Sequence, residues 1–171
     1  MNLYYVGLGS NLGDRLHLLR SALALLSAEP EITVPRGSAV YETDPVGPFE
    51  QPDFLNLVVE VATPLAPPEL LVRCLAIEIR LRRVRQERWG PRTIDLDLLL
   101  SPRQPWSDPS LQLPHPRLHL RAFMLVPLAE LAPDLPLEGS TVQALARRVD
   151  RSGLRPFATW TQFAQAPLPS L

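Results

Sequence analysis

Lysine does not occur in this 171-residue chain; all 17 of its basic residues are arginine. That absence excludes a P-loop, whose lysine must reach the β- and γ-phosphates, and also a Schiff-base or general-base lysine. Any phosphate handled here is held by arginine, backbone N–H groups or a metal. Cysteine occurs once, at Cys74, so no intrachain disulfide can form, which fits a reducing compartment. Aromatics are sparse at 6%, and no apolar run approaches the roughly 20 residues of a membrane span. Met1–Tyr5 lacks the basic start of an export signal. Net charge is nearly absent as well, −1 at pH 7, which argues against a general nucleic-acid or membrane-surface binder. From these absences we expect a soluble cytoplasmic protein.

Proline, by contrast, is abundant. Its 20 occurrences are more than twice the usual ~5%. With 46% hydrophobic residues the chain can bury a core, so these prolines read as rigid loops and not as disorder.

The apolar run Leu3–Leu8 reads as a buried strand entering a turn at Gly9-Ser10-Asn11. Leu16, Leu19, Leu23 and Leu26 recur at helical spacing behind Asp14, a candidate N-cap. Ile32–Glu42 reads as one strand with an irregular start at Pro35, and Phe54–Ala62 as a strand with Leu55, Leu57, Val59 and Val61 on one face. Between them Thr43–Asp53 carries Pro45, Gly47, Pro48 and Pro52, a stiff loop able to close over a ligand. Pro67-Pro68-Glu69 starts a second helix whose stripe is Leu70, Cys74, Ile77, Leu81 and Val84. Gly90-Pro91 ends it, and Thr93–Leu100 is a strand. Helices are expected over Arg121–Leu131 and Val142–Val149. The order is βαββαβ, which predicts an α+β, ferredoxin-like core with a mostly antiparallel sheet in a three-layer αβα sandwich. Residues 1–150 form one domain on this reading, and 151–171 a tail, either loose or docked.

Chemistry concentrates in the run from Arg83 to Leu98. Strand alternation points Asp95 and Asp97 to one face and Ile94, Leu96 and Leu98 to the other. Two adjacent carboxylates repel unless a cation sits between them, and Mg²⁺ suits such a pair. An exposed strand face with two solvated acids is the plainer alternative. Beside them Arg80, Arg82, Arg83, Arg85, Arg88 and Arg92 stand within 13 residues against one acid, Glu87. Part of this is a solvated helix face, with pairs such as Glu78–Arg82. Arg92, held behind Gly90-Pro91, is not explained that way. Guanidinium forks bind phosphate oxygens, so carboxylates beside arginines describe a Mg-nucleotide phosphotransfer site.

The run RWGPRTIDLDLL resembles the signature of the 6-hydroxymethyl-7,8-dihydropterin pyrophosphokinase family of folate biosynthesis. Three further segments are similar in the same order: Val6–Gly13; Tyr41–Pro45 continuing through Gln51–Asn56; and Pro114-His115-Pro116 followed by Arg121-Ala122-Phe123-Met124. The resemblance implies Mg²⁺-dependent transfer of pyrophosphate from ATP, as co-substrate, to the pterin hydroxymethyl group, leaving AMP. It implies that Asp95 and Asp97 hold two Mg²⁺ ions. It also implies that Arg83 and Arg92 clamp phosphates as catalytic residues, and that Glu78, Arg85, Leu98, His115 and Arg121 complete the ATP site. Trp89 and Phe123 would sandwich the pterin ring, with Phe54 near it. Asn56, with backbone groups of Thr43, Asp44 and Val46, would read its polar edge. Phe54 and Pro116 stand where some members have tyrosine, Arg82 where glycine is frequent, and His119 where a basic residue is common. The proton of the attacking hydroxyl has two destinations open to it, Asp97 or loss from a metal-polarised hydroxyl.

Other features read more plainly. Gly7, Gly9 and Gly13 miss the G-x-G-x-x-G spacing by one residue, so they point to close backbone packing and not to a dinucleotide site. His115 and His119 cannot align as a zinc pair on a helix, because Pro116 intervenes. His17 is a surface residue and Cys74 a core one. An RNA-binding module would need exposed sheet aromatics, and none is placed for that. A non-catalytic small-molecule sensor would not need the aspartates and arginines together. The partners expected are small-molecule substrates, with no nucleic acid and no membrane. A monomer is expected, with association with other folate enzymes left open.

Overall fold

The structure, a computed structural model, describes residues 1–81 and 94–165. Strand β1 (Asn2–Ser10) is an interior strand of the main sheet, one in from its edge. Helix α1 (Arg15–Ala28) follows, and the Asp14 carboxylate accepts the His17 backbone N–H at 3.1 Å, satisfying one of the donors a helix start leaves open. Its Leu19, Leu23 and Leu26 are buried.

Next come β2 (Thr33–Gly37) and β3 (Val40–Thr43), where the sequence pattern predicts one strand. The interruption at Ser38-Ala39 is stabilised by side chains that replace ladder hydrogen bonds. Ser38 N–H donates to Val58 O at 2.8 Å, and Ser38 Oγ accepts from Val58 N–H at 2.9 Å. Ala39 N–H donates to Glu130 at 2.8 Å. No backbone group need be stranded, so the break costs little.

Strand β4 (Phe54–Thr63) pairs with β1 over nine residues, antiparallel, from Asn2↔Thr63 to Ser10↔Leu55. Helix α2 (Pro67–Arg80) opens on two prolines, and the Glu69 carboxylate accepts the Ala66 N–H at 2.7 Å. Its buried Leu70, Cys74 and Ile77 match the expected stripe; Val84 lies outside the described residues. Strand β5 (Asp95–Leu100) pairs with the other side of β1. A hairpin of β6 (Trp106–Asp108) and β7 (Leu111–Leu113) then leads through a 3₁₀ turn at Leu118–Leu120 into α3 (Ala122–Leu131). A two-residue hairpin of β8 (Pro136–Leu137) and β9 (Ser140–Thr141) precedes α4 (Val142–Arg148).

The segment after Asp150 adds strand β10 (Leu154–Ala158) to the sheet against β3, then a short helix α5 (Trp160–Gln165). The sheet order is β10-β3-β4-β1-β5, with β2 also on β4 and every pairing antiparallel. Counting β2 and β3 as one broken strand, this is the ferredoxin-like order with one strand added at an edge.

Each sheet face has its own core. Tyr4, Val6, Leu8, Leu57, Val59, Leu96 and Leu98 pack against α1 and α2. Tyr5, Val58, Leu99 and Leu100 pack against α3 and α4 through Met124, Leu125, Leu128 and Val142. These are the expected three layers. Phe163 of α5 is only 2% exposed and joins the first core. Trp160 lies so close over Gly37 that a Cβ there would stand 2.5 Å from the ring.

Burial of Phe163 makes the last helix part of the fold's stability. A Phe163→Ala chain is expected to lose about 3–5 kcal/mol in urea unfolding. A loss within 0.5 kcal/mol would mean that the segment is loosely attached.

Candidate active site

The α3 layer covers only part of its sheet face. Beyond Tyr5, Val58 and Leu99 the surface opens into a cavity of about 540 Å³. Its floor is set by strand register. Gly9 stands opposite Asn56 on β4 and Asp95 on β5, and Gly7 opposite Val58 and Asp97. Adjacent strands therefore bring Asn56, Gly9 and Asp95 into one row.

The glycines are what keep that floor low. A Cβ on Gly9 would stand 2.4 Å from Asn56 Oδ1, so the Asn56 amide packs directly against the bare backbone. Asn56, itself buried, donates through Nδ2 to Thr43 Oγ1 at 2.8 Å. Gly7 and Gly9 thus do more than permit packing; they form the base of the cavity.

Asp95 and Asp97 both line the cavity and are half-buried, while Ile94, Leu96 and Leu98 sit in the opposite core. The alternation expected from the sequence places them so. Behind β5, Glu78 is buried and accepts the Leu96 N–H at 2.9 Å, fixing the strand between the two aspartates. Glu78 and Leu98 thus stand behind this wall and are not among the lining residues.

The facing rim comes from the segment before α3. His115 N–H donates to Leu99 O at 2.7 Å, which binds this segment to the β5 edge. His115 Nδ1 accepts the Arg117 N–H at 3.1 Å, which leaves Nε2 to carry the imidazole proton. His115, Arg117 and Arg121 line the cavity with Phe123 and Met124. The Arg121 guanidinium lies 5.6 Å from the Phe123 ring centroid, a cation–π contact that orients both. Thr43, Asp44, Val46 and Phe54 close the remaining side.

Of the residues singled out in the sequence, Thr43, Asp44, Val46, Phe54, Asn56, Asp95, Asp97, His115, Arg121 and Phe123 are brought together here. Arg83, Arg85, Arg88, Trp89 and Arg92 lie outside the described residues. Arg117 was not anticipated. Its signal is a second arginine in the short segment His115–Arg121, which becomes a cationic rim once the His115 N–H is seen to tie that segment to β5.

No group of three or more His, Cys, Asp or Glu side chains gathers at one point among the described residues. Two carboxylates still suit Mg²⁺, which keeps several waters and takes further oxygens from phosphate. The hard-oxygen donors facing a cationic rim fit that ion and do not fit a closed zinc site.

Burial, reinforced by Arg121 and Arg117, pushes the His115 pKa down to about 4, so the ring is neutral at pH 7. An unfolded histidine titrates near 6.5. The unfolded chain therefore binds the extra proton first as pH falls. The resulting stability is complete above about 6.5 and lost as pH drops through about 4. Urea midpoints measured from pH 7 to 4 are expected to fall more steeply for the natural chain than for His115→Gln. Parallel curves would remove this histidine from the acid response.

Comparison with known proteins gives the following. A family model described as 7,8-dihydro-6-hydroxymethylpterin-pyrophosphokinase (HPPK) matches residues 5–133. The chain is 49% identical over 150 residues to the 2-amino-4-hydroxy-6-hydroxymethyldihydropteridine pyrophosphokinase of Methylorubrum extorquens, covering 88% of this chain and 95% of that one. It is 45% identical over 161 residues to the Bacillus subtilis protein of the same name, covering 94% and 92%. Among solved structures, an HPPK-DHPS in complex with substrates aligns with a TM-score of 0.67 at 13% identity, over 86% of this chain and 45% of that one. The wild-type Plasmodium falciparum HPPK-DHPS aligns with a TM-score of 0.65 at 16% identity, over 86% and 41%. The chain thus spans under half the length of these solved proteins, and at such identities they support the fold alone.

Proposed function

This chain belongs to the 7,8-dihydro-6-hydroxymethylpterin-pyrophosphokinase family, and from that premise we propose how its own residues divide the work. The reaction is transfer of pyrophosphate from ATP to the hydroxymethyl group of the dihydropterin, in folate biosynthesis. The hydroxymethyl oxygen gives up its proton and forms a bond to the β-phosphorus as the bond from that phosphorus to the α–β bridging oxygen breaks, and AMP leaves with the bridging oxygen.

The observation that carries the division of roles is the cavity's polarity: paired carboxylates face a cationic rim at one end, and Asn56 with Thr43 forms a hydrogen-bonding edge at the other. Its volume falls within the range of small-molecule sites, which favours a compact substrate over a nucleic-acid strand. On this reading the pterin lies along the Asn56 end, its edge read by Asn56 and by backbone groups of Thr43, Asp44 and Val46. Phe123 and Phe54 offer apolar surface to the ring, with Trp89 as the second stacking partner.

Asp95 and Asp97 hold Mg²⁺, two ions on this proposal. Bound there, the metal neutralises phosphate charge and orients the triphosphate. Arg83, Arg85, Arg92 and Arg121 grip phosphate oxygens as forked donors. His115, neutral and protonated at Nε2, donates one uncharged hydrogen bond to the same oxygens. Glu78 holds β5 in register, so that the two carboxylates keep a fixed separation. Leu98, whose side chain is buried in the core behind β5, contributes to the nucleotide end only as packing beneath the strand. Little covalent chemistry falls to the protein; alignment and charge neutralisation account for the rate. No described helix is long and apolar enough to cross a membrane. We propose that the protein works in the cytoplasm, as a monomer.

Incubation with ATP, Mg²⁺ and the pterin alcohol is expected to release AMP in step with pterin pyrophosphate. AMP that forms equally without the pterin would overturn the reading. An Asp97→Asn protein should fold normally and lose at least ~100-fold in kcat; turnover within threefold of the natural chain would remove Asp97 from the metal role. Gly9→Ala, which forces the Asn56 amide off its seat, should raise the pterin KM about tenfold while ATP KM stays within twofold. Equal KM values for both proteins would place the pterin elsewhere.

A further inference from the structure

Strand β10 lies beyond residues 5–133, the part matched by the family model, yet it makes direct contact with the substrate loop. Arg155 donates to the Asp44 carboxylate at 2.9 Å and to the Asp53 carboxylate at 2.8 Å, and lies 3.7 Å from Glu42. Asp44 is where the chain leaves β3, and Asp53 is where it enters β4. One guanidinium thus ties both feet of the 44–53 loop. The backbone adds a further tie, Asp44 N–H to Gly153 O at 2.9 Å. A Cβ on Gly153 would stand 2.9 Å from the Asp44 carboxylate, so glycine there lets the two segments meet.

We propose that Arg155 is a positioning residue for the pterin, setting the loop that carries Asp44 and Val46 to the cavity wall; this rests on the pterin reading given above. Loop placement follows from its feet because Pro45, Pro48 and Pro52 remove much of the freedom between them. The second foot has other anchors. Asn11 donates to Gln51 Oε1 and Pro52 O, both at 2.9 Å, and Arg15 donates to Asp53 O at 3.0 Å; the same Arg15 donates to Glu42 of β3 at 2.8 Å, two residues before the first foot. Asp44, by contrast, is held to β10 by Arg155 and Gly153 O. The ion pairs are partly exposed, with Arg155 43% accessible, so each is weak and sensitive to salt.

Kinetics with each substrate varied in turn test this. Arg155→Ala is expected to raise pterin KM about three- to tenfold and leave ATP KM within twofold. Arg155→Lys should recover less than half of the loss, because one ammonium cannot fork between two carboxylates. Asp53→Asn keeps every residue of β10 and should shift pterin KM in the same direction by a smaller factor, because that foot retains its other anchors; combined with Arg155→Ala it should add nothing. Raising NaCl from 0.1 to 0.5 M should move the natural protein's pterin KM toward that of Arg155→Ala, whose own value stays fixed. If the natural chain turns over pterin while these variants match it, or shift both KM values together, the positioning role is wrong. If the natural chain forms no pterin-dependent AMP, the site reading itself is wrong. If Arg155→Ala does not fold, Arg155→Lys and Asp53→Asn decide.

Discussion

The whole site depends on a single constraint, the double pairing of β1. Among the described residues it is the only strand paired with both β4 and β5, and its nine-residue ladder with β4 leaves it no freedom to slide. A slip of one residue would turn Tyr4, Val6 and Leu8 out of the core and put Gly7 and Gly9 into it. The cost of that exchange, three core side chains against one tyrosine, Tyr5, and two glycines, is what holds Asn56 and Asp95 in register across the same row. Binding geometry is thus a by-product of core packing, and it needs no dedicated scaffold.

The second layer of control is polar and lies behind the visible walls. Glu78 of α2 accepts the Leu96 N–H between the aspartates, from behind the edge strand β5. The His115 N–H clamps the cationic rim to the outer edge of β5 through Leu99 O. Anions and cations of the cavity are therefore carried by one strand and by the segment that covers its edge. Their spacing is set by backbone hydrogen bonds, not by long flexible side chains. On the far side, Tyr41 OH and the Ala39 N–H both meet Glu130 of α3, joining the interrupted strand to the helix layer.

Much of this was legible in the residues. The period-two run Thr93–Leu100 placed Asp95 and Asp97 together because alternation is a local property, and the α2 stripe was readable because helical spacing is local too. What stayed hidden needs contacts distant along the chain. The break at Ser38-Ala39 is stabilised by Val58 and Glu130, neither of which announces itself from sequence. Strand β10 has five residues, an internal proline and a single pairing partner about 110 positions earlier, so it shows no period. Arg117 and the floor role of Gly9 were invisible for the same reason. Both acquire meaning only when another strand or segment is laid beside them.

The row Asn56–Gly9–Asp95 has a consequence for selectivity. Strands in a sheet lie about 4.8 Å apart, so residues two strands away are separated by about 10 Å. That interval is fixed by hydrogen-bond length and cannot be stretched or shortened by mutation without breaking the sheet. The sheet therefore acts as a gauge. On the placement proposed for the pterin, a two-ring molecule whose polar edge rests on Asn56 extends its side arm toward the aspartates, whereas a single ring anchored at the same place stops short of them. Length discrimination of this kind asks nothing of side-chain chemistry, and it would persist through any drift in the loops around it.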